Sequence, residues 1–327
     1  KSVFKNLTSK GVVVCDRGDL EFSESFTSNG HLTVESSCGL RISAGHTTLD
    51  TGNIVVRSTL INEGGSLWLG SASSVTVANI SQSSGTLHVA AAHANVSSLH
   101  QNGHASRVVV LSGSQLGHAG SVTNINQGSL SGNGAVAGHV NMGGLLTPGM
   151  SPGTLVIKGD LVLKSTSVTQ LEIQGTAVGQ YDTIVVEGDA TLGGTLNVTV
   201  ASGVPLGAGT SIVFLNVTGK VSGSFATVQT TGVSAEFDST LNGDSLSMSF
   251  SVINKAVCGN GKVETSLSET CDDGNTVSGD GCSTSCSVEA NWACTGGTAA
   301  SICSCASGFF GPTCARACNP SATCSGH

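Results

Sequence analysis

Short segments that alternate apolar and polar residues run through roughly the first 250 residues, with glycine corners between them. Residues 67–69 (Leu-Trp-Leu) are followed by residues 74–77 (Ser-Val-Thr-Val), and residues 87–89 (Leu-His-Val) by residues 95–99 (Asn-Val-Ser-Ser-Leu). Such alternation is typical of half-buried strands. Because no stretch of about ten or more residues has a convincing helical pattern, the sequence predicts an all-β fold.

A motif of glycine, then serine or threonine, then leucine recurs at intervals near twenty residues or its multiples. Its five copies begin at Gly65, Gly85, Gly128, Gly153 and Gly194. A unit of about twenty residues with two or three short strands is typical of one coil of a β-solenoid. At the ~4.8 Å spacing of paired strands, some 250 residues would stack about 12 coils into a rod roughly 60 Å long.

Residues 145–155 (Leu-Leu-Thr-Pro-Gly-Met-Ser-Pro-Gly-Thr-Leu) hold two of the five prolines. Each Pro-Gly pair is a turn signal, since proline fixes φ at about −65° and glycine accepts positive φ. We therefore expect a coil corner here, with Gly149 and Gly153 both at positive φ. Leu155 would then restart the twenty-residue unit.

Composition narrows the class of protein. Only 10% of the 327 residues are charged, 45 are glycine, and the formal net charge is −8. The 13 lysines and arginines form no basic patch, which argues against a nucleic-acid partner. No apolar run approaches the ~20 residues of a membrane-spanning helix, so we expect no direct membrane insertion. The first residues do not form a signal peptide, which leaves a cytosolic chain or a mature secreted product.

The twelve cysteines favour a secreted product over a cytosolic chain. Two lie early and ten crowd into residues 258–324, a density typical of disulfide frameworks made under oxidising conditions. We therefore expect a secreted protein, extracellular or at the cell surface. All the cysteines are expected in disulfides: Cys15, Cys38, Cys258, Cys271, Cys282, Cys286, Cys294, Cys303, Cys305, Cys314, Cys318 and Cys324.

The early pair, Cys15 and Cys38, is separated in sequence by about one coil. Stacked positions bring Cα atoms within disulfide range, so this bond would bridge adjacent coils near the N-terminal end. The alternative is a bond inside an irregular cap loop, which would protect an exposed sheet edge.

Five sequons are candidates for N-glycosylation and agree with secretion. Some sequons arise by chance in a chain so rich in serine and threonine, so they are supporting evidence only. They are Asn6, Asn79, Asn95, Asn197 and Asn216.

Two stretches resemble the repeat at the end of bacterial autotransporter passenger domains. The first runs from Ser131-Gly132-Asn133-Gly134 through the Pro-Gly corners to Leu155. The second is residues 179–188 (Gly-Gln-Tyr-Asp-Thr-Ile-Val-Val-Glu-Gly) with residues 190–196 (Ala-Thr-Leu-Gly-Gly-Thr-Leu). The similarity covers residues from about 120 to 250 and implies a right-handed parallel β-helix.

The C-terminal region resembles the Myxococcus-type cysteine-rich repeat, which is found in secreted proteins of bacteria and protists. The matching residues are Cys258-Gly259-Asn260-Gly261, Glu269-Thr270-Cys271-Asp272-Asp273-Gly274-Asn275, Gly279-Asp280-Gly281-Cys282, Cys286, Glu289, Trp292 and Cys294. Residues 303–314 then resemble the closing half of an EGF-like or tenascin-like module, and Cys318 with Cys324 the start of another.

These patterns divide the chain into four predicted segments. Residues 1–50 form an N-terminal cap and the first coils, and residues 51–254 form the β-solenoid. Residues 255–303 form the cysteine-rich repeat. Residues 303–327 form an incomplete EGF-like segment, which suggests a longer precursor.

A cluster of oxygen ligands lies in the cysteine-rich repeat. Carboxylates and an amide on glycine turns suit Ca²⁺, which makes calcium the one cofactor considered. The alternative is that these side chains cap turns by Asx hydrogen bonds. The candidate ligands are Glu269, Asp272, Asp273, Asn275 and Asp280.

The histidines and one pair of carboxylates are further candidates for metal binding or catalysis. His118 and His139 lie about one coil apart and could stack on neighbouring coils, but solvated surface histidines are favoured over a metal site or a pH switch. His88, His93, His100 and His104 belong to the same group. Asp182 and Glu187 could act as the paired carboxylates of a glycosidase or a polysaccharide lyase, yet Asp182 already has a place in the passenger-type repeat.

The favoured hypothesis is a non-enzymatic, secreted structural protein, a subunit of an extracellular filament, surface appendage or matrix. Its partners would be copies of itself, joined head to tail through solenoid ends and disulfide-rich modules. Protist flagellar hairs, or mastigonemes, are one setting suggested by the module types. The first alternative is an adhesin that binds glycans or matrix proteins, and the second is a β-helical polysaccharide-active enzyme.

Overall fold

The computed structural model describes residues 2–5, 7–28, 30–50, 52–70, 74–202, 204, 211–231, 236–241, 247–253, 258–263, 269–296 and 300–317. Within these ranges the prediction of an all-β fold is confirmed, and no helix could serve as a membrane span. The chain divides into two compact units, with the change close to residue 253.

The first unit is built from short strands. In chain order they are β1 (Ser2–Phe4), β2 (Leu7–Ser9), β3 (Val12–Cys15), β4 (Gly18–Phe22), β5 (Phe26–Ser28), β6 (His31–Val34), β7 (Cys38–Ile42), β8 (His46–Leu49), β9 (Asn53–Asn62), β10 (Ser66–Leu69), β11 (Ser74–Gln82), β12 (Thr86–Val89), β13 (Ala94–Gln101), β14 (Arg107–Val110), β15 (Gln115–Leu116), β16 (Val122–Ile125), β17 (Ser129–Gly132), β18 (Ala135–Val136), β19 (His139–Met142), β20 (Leu145–Pro148), β21 (Thr154–Ile157), β22 (Leu161–Leu163), β23 (Val168–Ile173), β24 (Thr183–Val186), β25 (Ala190–Leu192), β26 (Thr195–Val200), β27 (Ser211–Val217), β28 (Val221–Gly223), β29 (Thr227–Thr231), β30 (Glu236–Leu241) and β31 (Ser247–Ile253).

The second unit contains two small hairpins. Their strands are β32 (Trp292–Thr295), β33 (Ile302–Cys305), β34 (Phe309–Phe310) and β35 (Arg316–Ala317). In each hairpin the two strands pair antiparallel.

The strands of the first unit form a parallel β-solenoid, as predicted. Each coil contributes two strand positions to a 20-stranded sheet and one to an 11-stranded sheet. In β9, β11 and β13 the first two positions merge into one longer strand. The 11-stranded sheet, called the second sheet below, consists of β2, β5, β8, β10, β12, β14, β17, β20, β23, β26 and β29.

The core is a set of columns of like residues. In the second sheet the register places Leu67, Leu87, Val108, Leu130 and Leu146 on successive coils, and each is fully buried. Burying one such side chain contributes about 1.5–3 kcal/mol. Because successive side chains of a strand point to opposite faces, the residues between the buried ones form the solvated outer face.

Buried amides extend the repeat beyond its leucine. Asn62, Gln82 and Gln101 are in register on successive coils and are buried. The Asn62 amide donates to the Gly65 carbonyl at 3.1 Å, and the Gln82 amide donates to the Gly85 carbonyl at 2.7 Å. These glycines open two copies of the motif, so the amide that precedes each glycine belongs to the repeat, a signal that the sequence analysis missed.

Coil length is regular at first and then varies. Each coil takes about twenty residues in the first half of the solenoid, as expected for such a repeat. The register partners there are Leu7, Phe26, Thr47, Leu67, Leu87, Val108 and Leu130. The next step, from Leu130 to Leu146, is shorter, and the last, from Leu196 to Val228, is much longer. The twenty-residue unit therefore describes only the first half.

The expectation that Leu155 restarts the unit is wrong. Leu155 lies in β21, which pairs with β24 in the 20-stranded sheet. The position after Leu130 in the second sheet belongs to Leu146, because the intervening coil is short.

The Pro-Gly stretch does turn the chain, between β20 and β21. Gly149 has a φ of +83°, as expected, and Ser151 also has a positive φ, of +68°. Gly153 does not, so its predicted conformation is wrong. Its need for glycine is steric, since a Cβ there would lie 2.7 Å from the Gly149 Cα atom.

The ends of the solenoid carry two special features. A disulfide joins Cys15 at the end of β3 to Cys38 at the start of β7, with Cα atoms 6.0 Å apart, and so links adjacent coils. Towards the C-terminal end, β31 pairs antiparallel with β27, which reverses the direction of the ladder.

Replacing either corner glycine by valine should destabilise the solenoid. In Gly149→Val a β-branched residue must adopt positive φ, which costs on the order of 1–3 kcal/mol, and its Cβ would lie 2.4 Å from the Gly153 nitrogen. In Gly153→Val the new side chain would meet the Gly149 backbone. Thermal melts of both variants should show lower Tm values than the wild type.

The control is Met150→Val, at a side chain that is 61% exposed in the same corner. It should melt close to the wild type. Wild-type melting of both glycine variants would contradict the steric account of the corner.

Candidate functional site

The second unit is organised around disulfides. Bonds join Cys258 to Cys286, Cys271 to Cys282, Cys294 to Cys303 and Cys305 to Cys314. The first three pairs pack together as the core. Cys318 and Cys324 lie outside the described residues.

Asp272 lies at the centre of this unit and is fully buried. Its Oδ2 atom accepts the N–H groups of Gly259 and Asn260 at 2.9 and 3.1 Å, and its Oδ1 atom accepts those of Gly261 and Gly274 at 3.0 and 2.8 Å. Four N–H groups around one carboxylate make an anion-binding nest. The Asp272 carboxylate therefore holds the Cys-Gly-Asn-Gly turn at residues 258–261 next to the loop that contains Asp272 and Gly274.

Glu289 plays a similar part at the other glycine-rich turn. Its carboxylate accepts the Gly279 N–H at 2.8 Å and the Gly281 N–H at 3.0 Å. Both glycines have positive φ, of +102° and +119°. At Gly281 a Cβ would lie 2.3 Å from the Cys303 Cβ, so no larger residue fits.

The five calcium candidates divide into two groups. Glu269 and Asp272 are buried, and with the Cys286 sulfur their ligand atoms lie within 4.8 Å of one another. Cys286 is disulfide-bonded, however, and offers no thiolate. Asp272 already accepts four N–H groups, which are poor neighbours for a cation.

The other three candidates lie on the more exposed side of the loop. Asp273 accepts the Asn275 N–H at 3.3 Å, and the Asn275 Oδ1 atom accepts the Val277 N–H at 2.6 Å. The Asn275 amide also donates to Asp280 at 3.2 Å. The hydrogen bonds at Asp272, Asp273 and Asn275 are those of Asx turns, the alternative considered from the sequence. Calcium binding stays a prediction.

Asp182 supports the Pro-Gly corner from the next coil. Its side chain is 4% exposed. The Oδ1 atom accepts the Gly153 N–H at 2.8 Å, and the Oδ2 atom accepts the Glu172 N–H at 2.9 Å. Burial raises the pKa of this carboxyl to about 6, although the two hydrogen bonds act in the opposite direction.

Asp182 and Glu187 do not form a catalytic pair. They flank the two ends of β24, and Glu187 is exposed whereas Asp182 is buried. Residues five apart along a strand point to opposite faces, whereas the two carboxyls of a glycosidase face each other across ~5–9.5 Å. The Asp182 carboxylate is instead a backbone acceptor.

The histidines are mostly exposed and serve local contacts. His139 lies opposite Val122 in the register, so it does not stack on His118. The His139 Nδ1 atom lies 3.0 Å from Asp160, and the His118 Nε2 atom lies 3.3 Å from the Ser97 hydroxyl. His88 is half-buried and contacts the Trp68 ring, with centroids 4.8 Å apart.

The sequons differ in exposure. Asn79 in β11 and Asn216 in β27 are exposed, whereas Asn95 in β13 and Asn197 in β26 are half-buried between paired strands. Asn6 lies outside the described residues. Asn79 and Asn216 are therefore the more accessible candidates for glycosylation.

Replacing Asp182 by asparagine should change the pH dependence of stability. The folded chain holds this carboxyl at a pKa of about 6, against an ordinary value of 3.8. Because the folded state binds the proton more tightly, the stabilisation from protonation is complete below pH 3.8 and is lost as the pH rises through 6. The Tm of the wild type minus that of Asp182→Asn should therefore fall between pH 4 and pH 7.

Glu187→Gln, at an exposed carboxyl at the other end of β24, is the matched control. Over the same range, the Tm difference of Asp182→Asn should change more than that of this control. A Tm difference for Asp182→Asn that does not change with pH would rule out this titration.

Replacing Asp272 by asparagine should loosen the cysteine-rich unit. An amide nitrogen would replace one carboxylate oxygen and face two N–H donors, and each buried donor left without a partner costs about 1–3 kcal/mol. Hydrogen exchange should then accelerate at the amides of Gly259, Asn260, Gly261 and Gly274.

The control is Asp273→Asn, where a half-buried carboxylate accepts one N–H. Exchange at the same four amides should change little. If both variants exchange at the wild-type rate, Asp272 does not hold the turn.

Comparison with models of protein families and with curated proteins finds no match to this chain. The solenoid, its corner and the disulfide-centred unit are therefore the features from which a function can be inferred.

Proposed function

We propose that this chain is a secreted structural protein, a subunit of an extracellular filament, surface appendage or matrix. The observation that carries the proposal is the pair of sheet edges at the ends of the solenoid. A parallel ladder can be continued by a strand from another copy, because an edge strand presents unpaired N–H and C=O groups. The proposal involves no catalytic step.

The N-terminal edge is formed by β1, β2 and β3. Within the described part of the chain, β2 pairs only with β5, and β3 pairs only with β6. Val12 and Val14 of β3 are 66% and 61% exposed, a large value for valine. An apolar edge of this kind favours contact with another chain.

At the other end of the second sheet, β29 pairs only with β26 among the described strands. Contact between the β29 end of one copy and the end of the next that carries β2 and β3 would use two different surfaces. Such a heterologous contact repeats without closing and produces a filament.

The disulfides support the extracellular part of the proposal. Five bonds are present in the described residues, and bonds at this density are typical of an oxidising environment. The resemblances to autotransporter passengers, to Myxococcus-type repeats and to EGF-like modules point the same way. A flagellar hair or a similar appendage would need these properties.

Assembly can be tested by electron microscopy and sedimentation over a range of protein concentrations. The wild-type chain should form linear polymers, and Val12→Lys with Val14→Lys should remain dispersed, because charges block edge pairing. The matched control is Val178→Lys, at a valine that is 92% exposed in a loop away from the ends. Dispersed wild-type monomers at high concentration would contradict the proposal.

A further inference from the structure

The outer face of the second sheet has an unusual charge distribution. Its first eight strands contain no aspartate or glutamate, although the chain has 21 of them. Arg107 carries a permanent positive charge there, and His46 and His88 are ionisable. Asp50 follows β8 at the next outward position, beside Gly70, so the part of the face without acidic side chains runs from β12 to β20.

An aromatic pair lies within this face. Trp68 of β10 is opposite His88 of β12 and Thr48 of β8 in the register. The Trp68 and His88 rings are 4.8 Å apart and inclined by 31°, and both residues are half-buried. Burial lowers the pKa of His88, and the nearby His46 lowers it further. Their rings thus form an apolar platform rather than a site of fixed charge.

A groove of about 730 Å³ lies on the same face, beyond His88. It is lined by His104 and Arg107 on one side and by polar residues that include Gln127, Ser129 and Thr147. Arg107 belongs to β14, which pairs directly with β12, so the groove adjoins the aromatic pair. From β10 to β20 there are four strand steps, a distance of ~19 Å at ~4.8 Å per step.

We propose that this surface, the Trp68 face, binds an acidic polysaccharide. The Trp68 ring would pack against the apolar side of a sugar ring. Arg107 would pair with a carboxylate or sulfate through two parallel hydrogen bonds. The hydroxyl and amide groups of the groove would bind sugar hydroxyls. The groove side of the face, where β12, β14, β17 and β20 contain Arg107 and no aspartate or glutamate, fits an anionic chain better than a neutral one.

This function goes beyond assembly and does not depend on it. The Trp68 face lies along the side of the coils, whereas the edges proposed for polymer growth lie at the ends. A filament could therefore present many copies of the face, which would raise its avidity for a long polymer. Dispersed chains should bind as well, with lower avidity.

The test measures binding of the purified full chain to polygalacturonic acid, with dextran as the neutral polymer and oligo-dT as the nucleic acid. The wild type should bind polygalacturonic acid, and the affinity should fall as salt is added. Trp68→Ala and Arg107→Gln should each weaken binding at least tenfold. Trp68→Phe should keep most of the affinity.

Lys158→Gln is the control for charge, because it removes one positive charge just beyond β21 in the other sheet. Its affinity should match the wild type. Each variant is first checked for a wild-type melting curve, and Arg107→Gln with Trp68→Phe decides the matter if Trp68→Ala unfolds.

Several results would overturn the proposal: no binding of polygalacturonic acid, equal binding of dextran, binding of oligo-dT alone, or wild-type affinity of Arg107→Gln. None of them bears on filament formation, which microscopy measures separately.

Discussion

The parallel backbone ladder is the constraint on which the rest of the first unit depends. Every coil must bring its strands beside those of the coil before, so inward residues meet their counterparts in columns such as Leu67, Leu87 and Val108. Charged residues cannot enter these columns without a partner. The low share of charged residues, 10%, also reflects the outward positions, where serine, threonine and asparagine are common.

At turns that lie outside the strand ladder, carboxylate side chains accept the backbone N–H groups that the ladder would otherwise pair. Asp182 accepts N–H groups from two different segments at the Pro-Gly corner, and Asp272 accepts four in the disulfide-centred unit. Glu289 does the same at a glycine turn. These acids would be natural candidates for catalysis or metal binding if only their positions were considered. Their contacts identify them as acceptors that orient backbone.

The twenty-residue period was predictable because it is a local pattern, repeated wherever a leucine follows a corner glycine. The prediction for Leu155 was wrong because the same short motif also occurs in the 20-stranded sheet. Spacing along the chain does not distinguish a motif in one sheet from a motif in the other. Asp182 and its partner Gly153 lie on different coils, far apart in the chain, so no local pattern could reveal their contact. The Trp68 face was missed for a similar reason, since its members come together only through the register.

Coil length has a consequence for how the chain can change over evolutionary time. A bulge between Val77 and Asn79 shifts the register without disturbing the strands on either side. The short coil from Leu130 to Leu146 and the long one from Leu196 to Val228 share one ladder. Each coil therefore sets its own length independently of its neighbours. Segments could be inserted or deleted at the corners, one coil at a time, while the columns of the core stay aligned.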